Sequence, residues 1–449
     1  MEKTRILRFP AGFLRGTATS SHQYEGGNIS NQWYRWEQQG HIRTGEVSGE
    51  AANWWERAEA DFARAEQMGH NALRLSLEWS RIEPAEGRWD EAALDRYRTM
   101  LADLRQRGLK PIITLHHFTE PLWFADRDGF ENAENIRFFV RYASHAVENL
   151  RGLCDFWVTI NEPNVYVSEG YVVGAYPPGK SDLRSARRVL LNLMQAHVET
   201  FYAIRRLQPE AQIGYCQDYR LFDPAHSFSP LDRALSWLYE TGFTWSPLQV
   251  VERGRFAFPL ALLMPSFSRA AGARDYHGIN YYTREMLGFS ITSPATGFIR
   301  RFPHASSLYN DARADPNDVE EIYPEGIYRV VKAIHRRTRG NKPLYITENG
   351  VRDATDSRRP QALLEHLAWL HRAISEGVPV RGYLHWTLLD DFEWMDGWHT
   401  HLGLCAVDRA TQQRTPRPSA LLLAEICRAN AITAEMVEHY APQAMGRIF

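Results

Sequence analysis

Phe156-Trp157-Val158-Thr159-Ile160-Asn161-Glu162 is the stretch that decides the fold: an apolar run of strand length closed by a carboxylate. Working outward from it, the same unit recurs. Short apolar, β-branched runs end near Thr19, Leu77, His116, Ile160, Gln217, Asn280, Thr347 and Trp386. Between and after them the apolar spacing becomes helical, at 54–68, 90–107, 135–150, 181–208, 229–243, 324–339, 360–376 and 416–430. Eight strand-helix units predict a parallel sheet closed into a single (β/α)8 TIM barrel over residues 1–449, with extended βα loops forming its mouth.

The clearest helix carries Leu190, Leu193, Met194, His197, Phe201 and Ile204 at three- and four-residue spacing, which makes His197 a core residue and not a ligand. Gly69 and Gly108 each stand between a helical pattern and a strand, where a C-cap needs positive φ. Ser290 to Asn317 lacks periodicity and reads as a long loop near the mouth.

The chain has 52 basic and 54 acidic residues, net −2, without an evident footprint for nucleic acid or an anionic membrane. A neutral small molecule is the expected partner. Paired arginines such as Arg187-Arg188 and Arg336-Arg337 read as solvated faces. Cys154, Cys216, Cys405 and Cys427 are scattered and suggest buried free thiols, with neither a disulfide framework nor a zinc site. No apolar run suits a signal peptide or a membrane span, so a cytoplasmic enzyme is expected. Oligomeric state is not legible in one chain.

In such a barrel the chemistry is confined to the C-terminal ends of the strands, because the interior is packed and only the βα loops converge on a cavity. The unusual polar residues respect that rim: Gln23, His117, Asn161 with Glu162, Asn280 with Tyr282, Glu348 with Asn349, and Glu393 with Trp394. Arg74 lies within the second strand and should point inward. Glu162 and Glu348 both close apolar strands, a context that predicts partial burial. Burial raises a carboxyl pKa and a neighbouring carboxylate raises it further, so one group stays protonated while the other ionises, as glycoside cleavage requires. Two unrelated structural glutamates remain the competing reading of the pair by itself. Trp residues after strand ends, Trp386 and Trp394 above all, offer flat apolar faces for sugar C–H groups, while Gln, Asn, His and Glu suit hydroxyls.

The motifs together resemble glycoside hydrolase family 1, the β-glucosidases and their relatives, over nearly the whole chain. They run in order through Gln23-Tyr24-Glu25-Gly26, Arg74-Leu75-Ser76-Leu77-Glu78-Trp79, Leu115-His116-His117-Phe118, Thr159-Ile160-Asn161-Glu162-Pro163, Gly278-Ile279-Asn280-Tyr281-Tyr282, Ile346-Thr347-Glu348-Asn349-Gly350 and Asp390-Asp391-Phe392-Glu393-Trp394. The resemblance implies a retaining, exo-acting β-glycosidase of β-glucosidase type, with β-galactosidase or β-fucosidase side activity and transglycosylation within reach. Its substrate would be a small-molecule β-glycoside or oligosaccharide, without metal or cofactor. It further implies Glu162 as acid/base and Glu348 as nucleophile, with the two carboxyls about 5 Å apart. Arg74, Asn161 and Tyr282 would support them. Gln23, His117, Asn161, Trp386, Glu393 and Trp394 would bind the sugar.

Some positions depart from the family pattern. Arg15 and His22 stand where aromatics are common, Phe118 replaces a frequent tryptophan and Asp391 a usual asparagine. His401-Leu402-Gly403 replaces a common Arg-Phe-Gly, a change expected to affect packing alone. Three other functions compete. A 6-phospho-β-glycosidase is opposed by the acidic Glu393 where a phosphate would sit. A non-catalytic sugar-binding member is opposed by the presence of both glutamates. A metal-dependent hydrolase is opposed by His116 and His117 being adjacent, hence on opposite faces, and by the lack of ligands to complete His399 and His401.

Overall fold

The computed structural model describes residues 5–267, 269–292, 299–302, 308–313 and 320–449. Eight parallel strands close a barrel: β1 (Leu14–Ala18), β2 (Ala72–Ser76), β3 (Lys110–Thr114), β4 (Phe156–Asn161), β5 (Gln212–Asp218), β6 (His277–Asn280), β7 (Leu344–Glu348) and β8 (Val380–Trp386). The ring shuts where β8 pairs with β1, from Gly382 against Leu14 to Trp386 against Ala18. Each strand feeds a helix of the outer layer: α1 (Trp54–Gln67), α2 (Glu91–Gln106), α3 (Ile136–Leu150), α4 (Leu183–Leu207), α5 (Pro230–Tyr239), α6 (Glu325–Thr338), α7 (Arg359–Ser375) and α8 (Pro418–Ala429). The eight predicted helices and strand ends fall within a few residues of these.

Strand alternation sorts the side chains into two cores. Ala18, Ala72, Ile112, Phe156, Val158, Cys216, Tyr276 and Leu384 fill the barrel interior, with Trp386 closing it from above. A larger apolar layer lies between strands and helices and takes Leu73, Leu75, Trp157 and the α4 stripe of Leu193, Met194, Phe201 and Ile204. His197 belongs to that layer: its Nε2 and Nδ1 meet Ala273 O at 2.8 Å and Thr159 Oγ1 at 2.7 Å. Gly69 and Gly108 adopt φ of 75° and 73° after α1 and α2, as the C-cap reading requires. At Gly16 a Cβ would stand 1.9 Å from Ala72 O, so β1 can approach β2 only as glycine. All four cysteines are free and buried.

The stretch 290–317 is not wholly loop. Ile299–Arg301 pairs antiparallel with Arg284–Phe289, and Leu308–Tyr309 with Glu321–Ile322. Such short edge ladders are held by backbone hydrogen bonds and need no apolar alternation, so the sequence carried no signal for them. Residues 293–298, 303–307 and 314–317 of that stretch lie outside the described residues. Beyond α8, Ala431–Thr433 pairs with Ile6–Arg8 and ties the two ends of the chain together. No helix among the described residues is long and apolar enough to cross a membrane.

Candidate active site

At the C-terminal ends of the strands one cavity opens, walled by His117, Glu162, Tyr282, Glu348, Trp386, Glu393 and Trp394. Arg74, Asn161 and Gln23 are fully buried and hydrogen-bond to Glu348, His117 and Glu393 of these walls. All the site residues expected from sequence therefore gather at one rim.

The two strands that carry the glutamates are irregular where they end. Register shifts between Val158 and Asn161 on β4 and between Ile346 and Glu348 on β7, the kind of ladder break that re-aims a side chain. Glu162 itself takes φ 45°, ψ 62° and caps the short helix Pro163–Val167. Gly350 then lets the chain after Glu348 pass against Trp386, where a Cβ would lie 2.1 Å from the Trp386 carbonyl oxygen.

Glu348 is gripped from two sides. Arg74 Nη1 donates to its Oε1 at 2.5 Å and Tyr282 OH to its Oε2 at 2.8 Å. Burial pushes its pKa up, while Arg74 and the Tyr282 hydrogen bond pull it back. Glu162 has weaker support, one amide bond from Asn280 Nδ2 at 2.7 Å. Burial, then the Glu348 charge, then Asp218 drive its pKa well above the ordinary carboxylate range. The asymmetry assigns the proton to Glu162 and the charge to Glu348.

Asn161 links the two halves. Its Oδ1 accepts from Arg74 Nη2 at 2.7 Å and from Asn280 Nδ2 at 3.1 Å, so its own amide donates to His117 Nε2 at 3.2 Å. That bond places the imidazole proton of His117 on Nδ1. Burial, then Arg74, hold the His117 pKa well below its usual value, and the ring stays neutral. On the far wall Gln23 Nε2 donates to Glu393 Oε2 at 3.0 Å, and burial lifts Glu393 to about 7 against the pull of Arg313. Trp386 and Trp394 stack against His117 at centroid distances of 5.7 Å and 6.1 Å, with Phe118 edge-on to Trp394 at 5.3 Å.

Several wall residues escaped the sequence reading. Asp218 closes β5 in the position Glu162 and Glu348 hold on their strands, and that parallel was the available signal. Burial raises it to about 6, opposed by Arg220, whose Nη2 lies 3.4 Å away. Arg313, Arg352 and Arg220 surround Glu320 at 3.7, 2.5 and 3.6 Å. Burial alone would raise Glu320, yet these guanidinium groups bring it below the ordinary range. Arg313 comes from the aperiodic stretch expected near the mouth and Glu320 from its flank, and neither residue was singled out there. Asn280 was noticed at the rim, but its contact with Glu162 was not foreseen.

The departures sort themselves by position. Phe118, at φ 66°, lines the cavity, and so does Leu402, which corrects the expectation that the His401-Leu402-Gly403 change touches packing alone. The side-chain volume at position 402 shapes the site. His22 stacks on Trp394 at 5.9 Å and pairs with Glu37 at 2.7 Å. Asp391 is fully buried with neither carboxyl oxygen hydrogen-bonded, and burial followed by the Glu393 charge pushes its pKa well up. His116 meets Glu120 and His117 meets Asn161, so the adjacent histidines do face apart. Among the described residues no cluster of His, Cys, Asp or Glu could hold a metal ion.

A family model described as glycosyl hydrolase family 1 matches residues 6–432. Beta-glucosidase A of Thermotoga maritima is 29% identical over 95% of this chain and 99% of its own, and a beta-galactosidase of Sulfolobus acidocaldarius is 28% identical over 97% and 98%. Among solved structures, a beta-glycosidase from Pyrococcus horikoshii superposes with a TM-score of 0.87 at 34% identity, covering 97% of this chain and 98% of its own. The beta-glucosidase from Thermotoga maritima in complex with glucoimidazole gives 0.88 at 28% identity, over 95% of this chain and 100% of its own.

Proposed function

The chain belongs to glycosyl hydrolase family 1, and from that premise we propose that Glu162 and Glu348 cleave terminal β-glycosides by double displacement. The enzyme is a retaining β-glycosidase of β-glucosidase type acting on small-molecule glycosides. One observation supports the residue roles: Glu348, paired with Arg74 and hydrogen-bonded by Tyr282, shares a cavity with Glu162, whose pKa burial and the Glu348 charge push well up.

Glu162 gives its proton to the departing glycosidic oxygen. A Glu348 oxygen bonds the anomeric carbon as the bond to the leaving group breaks, and a glycosyl ester remains. Esterification removes the Glu348 charge, one of the causes that raise Glu162, so Glu162 becomes acidic enough to act next as base. It takes a proton from water, whose oxygen attacks the anomeric carbon and frees Glu348. Arg74 is left without its counter-ion during the ester's lifetime, which favours breakdown.

In this reading Gln23, His117, Asn161 and Glu393 bind the sugar hydroxyls while Trp386 and Trp394 form the platform and outer wall. Asn161, fixed by Arg74 and Asn280, is aimed at the 2-hydroxyl, a contact that tightens as the ring flattens in the transition state. In its ionised form Glu393 opposes a 6-phosphate by charge, which disfavours phosphorylated substrates above about pH 7. We further take 1–449 as one domain, supported by the pairing of Ile6–Arg8 with Ala431–Thr433, and as cytoplasmic, in keeping with four free cysteines.

The test is Glu348→Gly on a nitrophenyl β-glucoside. Hydrolysis is abolished, and azide restores turnover by entering the vacated face, giving an α-glycosyl azide. Unchanged hydrolysis without azide removes Glu348 from the nucleophile role.

A further inference from the structure

The βα segments after β5 and β6 expose apolar side chains of a kind that soluble surfaces cover. Phe228 is 84% exposed, Leu262 74%, Leu263 and Phe258 61%, Leu231 56% and Trp237 52%. Some of them touch other rings: Trp237 on α5 lies 6.5 Å from Phe258 between ring centroids, and Phe228 meets His226 at 5.8 Å, which meets Phe302 at 5.6 Å. Phe289, also exposed, binds its backbone N–H to Asp232 on α5. At roughly 150–250 Å2 for a whole aromatic side chain, the three exposed rings leave on the order of 300–500 Å2 uncovered before any leucine is added.

Along this segment the exposed formal charges are cationic. Among the described residues between 226 and 302, the exposed ionisable side chains apart from His226 are Arg233, Arg253, Arg255, Arg269, Arg300 and Arg301. The acidic residues of the same stretch, Asp232, Glu240, Glu252, Asp275 and Glu285, are buried or half-buried. Asp232 pairs with His226, Glu252 with Arg274, Asp275 with Arg205, and Glu285 with both Arg220 and Arg301, while Glu240 accepts from Trp245 Nε1 at 2.9 Å. A chain-wide net charge of −2 hides this local excess of cations.

We propose that this face docks on the surface of an anionic lipid bilayer. Protruding Phe, Leu and Trp enter the boundary between headgroups and acyl chains, and the arginines meet the headgroup phosphates, as in interfacial proteins that lie on a membrane without crossing it. Complementary charge selects the bilayer over a second copy of the chain, since two such faces would bring like charges together. Phe228 lies on the segment that connects β5 to α5, after the short strand Leu221–Pro224, and Leu231 on the first turn of α5.

The test is flotation of the full chain with vesicles of phosphatidylglycerol and phosphatidylcholine, beside vesicles of phosphatidylcholine alone. The chain floats with the anionic vesicles at low salt, and binding falls at least tenfold in 1 M NaCl or on neutral vesicles. Phe228→Ser/Leu262→Ser/Leu263→Ser abolishes flotation, and Arg233→Glu/Arg255→Glu weakens it at least tenfold, while both variants keep wild-type activity on a soluble nitrophenyl glycoside, which also reports that they fold. Absence of flotation on anionic vesicles overturns the proposal. So does a concentration-dependent dimer in sedimentation velocity that the triple serine variant dissociates, because the patch would then be a self-interface.

Discussion

Replacing Tyr282 by phenylalanine keeps the ring and deletes one bond, the 2.8 Å donation from its hydroxyl to Glu348 Oε2. A hydrogen bond to a charged group contributes about 1.5–3 kcal/mol, which corresponds to a factor of about 10 to 150. The bond favours the ionised form of Glu348, so its removal raises the pKa of the nucleophile in the free enzyme. The acidic limb of kcat/KM therefore moves upward by about 1–2 pH units. At a fixed pH on that limb, kcat/KM falls by about 10- to 150-fold, and on the plateau the loss is smaller because Arg74 still holds Oε1. The assay is kcat/KM of wild type and variant on a nitrophenyl β-glucoside across the acidic and neutral range. A loss of the same factor at every pH, with the limb unmoved, would refute the idea that Tyr282 keeps Glu348 ionised and would leave it a packing contact.

Glu162→Ala separates substrates by leaving group: alkyl β-glucosides, which need protonation, lose about 100- to 10,000-fold in kcat/KM, while dinitrophenyl glucoside keeps its first step. Equal losses on both kinds would count against Glu162 as the acid. Asp391→Asn tests the unpartnered buried carboxyl. The native Asp391 pKa is raised, so the unfolded chain ionises first, and its contribution to stability is lost as pH rises above the unfolded value of about 3.9. The asparagine variant is therefore the more stable at neutral pH, and the gap in Tm widens from mildly acidic to neutral solution; a gap that stays flat with pH would show Asp391 to be ionised or otherwise paired.

Strand ends were legible because β4 and β7 are apolar runs that stop at a carboxylate, and the barrel geometry turns each such stop into a position on one rim. Arg74 was legible as the polar break inside an otherwise apolar strand. Asp218 obeys the same rule and was passed over, since Gln217 read equally well as the end of β5. Arg313 and Glu320 were out of reach. They arrive through loop geometry and through pairing among charges far apart in sequence, and neither leaves a period to read. Summed charge does not say which acids are turned inward, so the run of exposed arginines from Arg233 to Arg301 emerges only when burial is known residue by residue.

The hydrogen bond between Gln23 and Glu393 joins groups 370 residues apart across the seam where β8 meets β1. Glu393 stands 45 residues beyond Glu348 (393 − 348), so a chain made from its N-terminus gains the Gln23–Glu393 wall after both cavity glutamates, and this wall is the one that depends on closure of the ring.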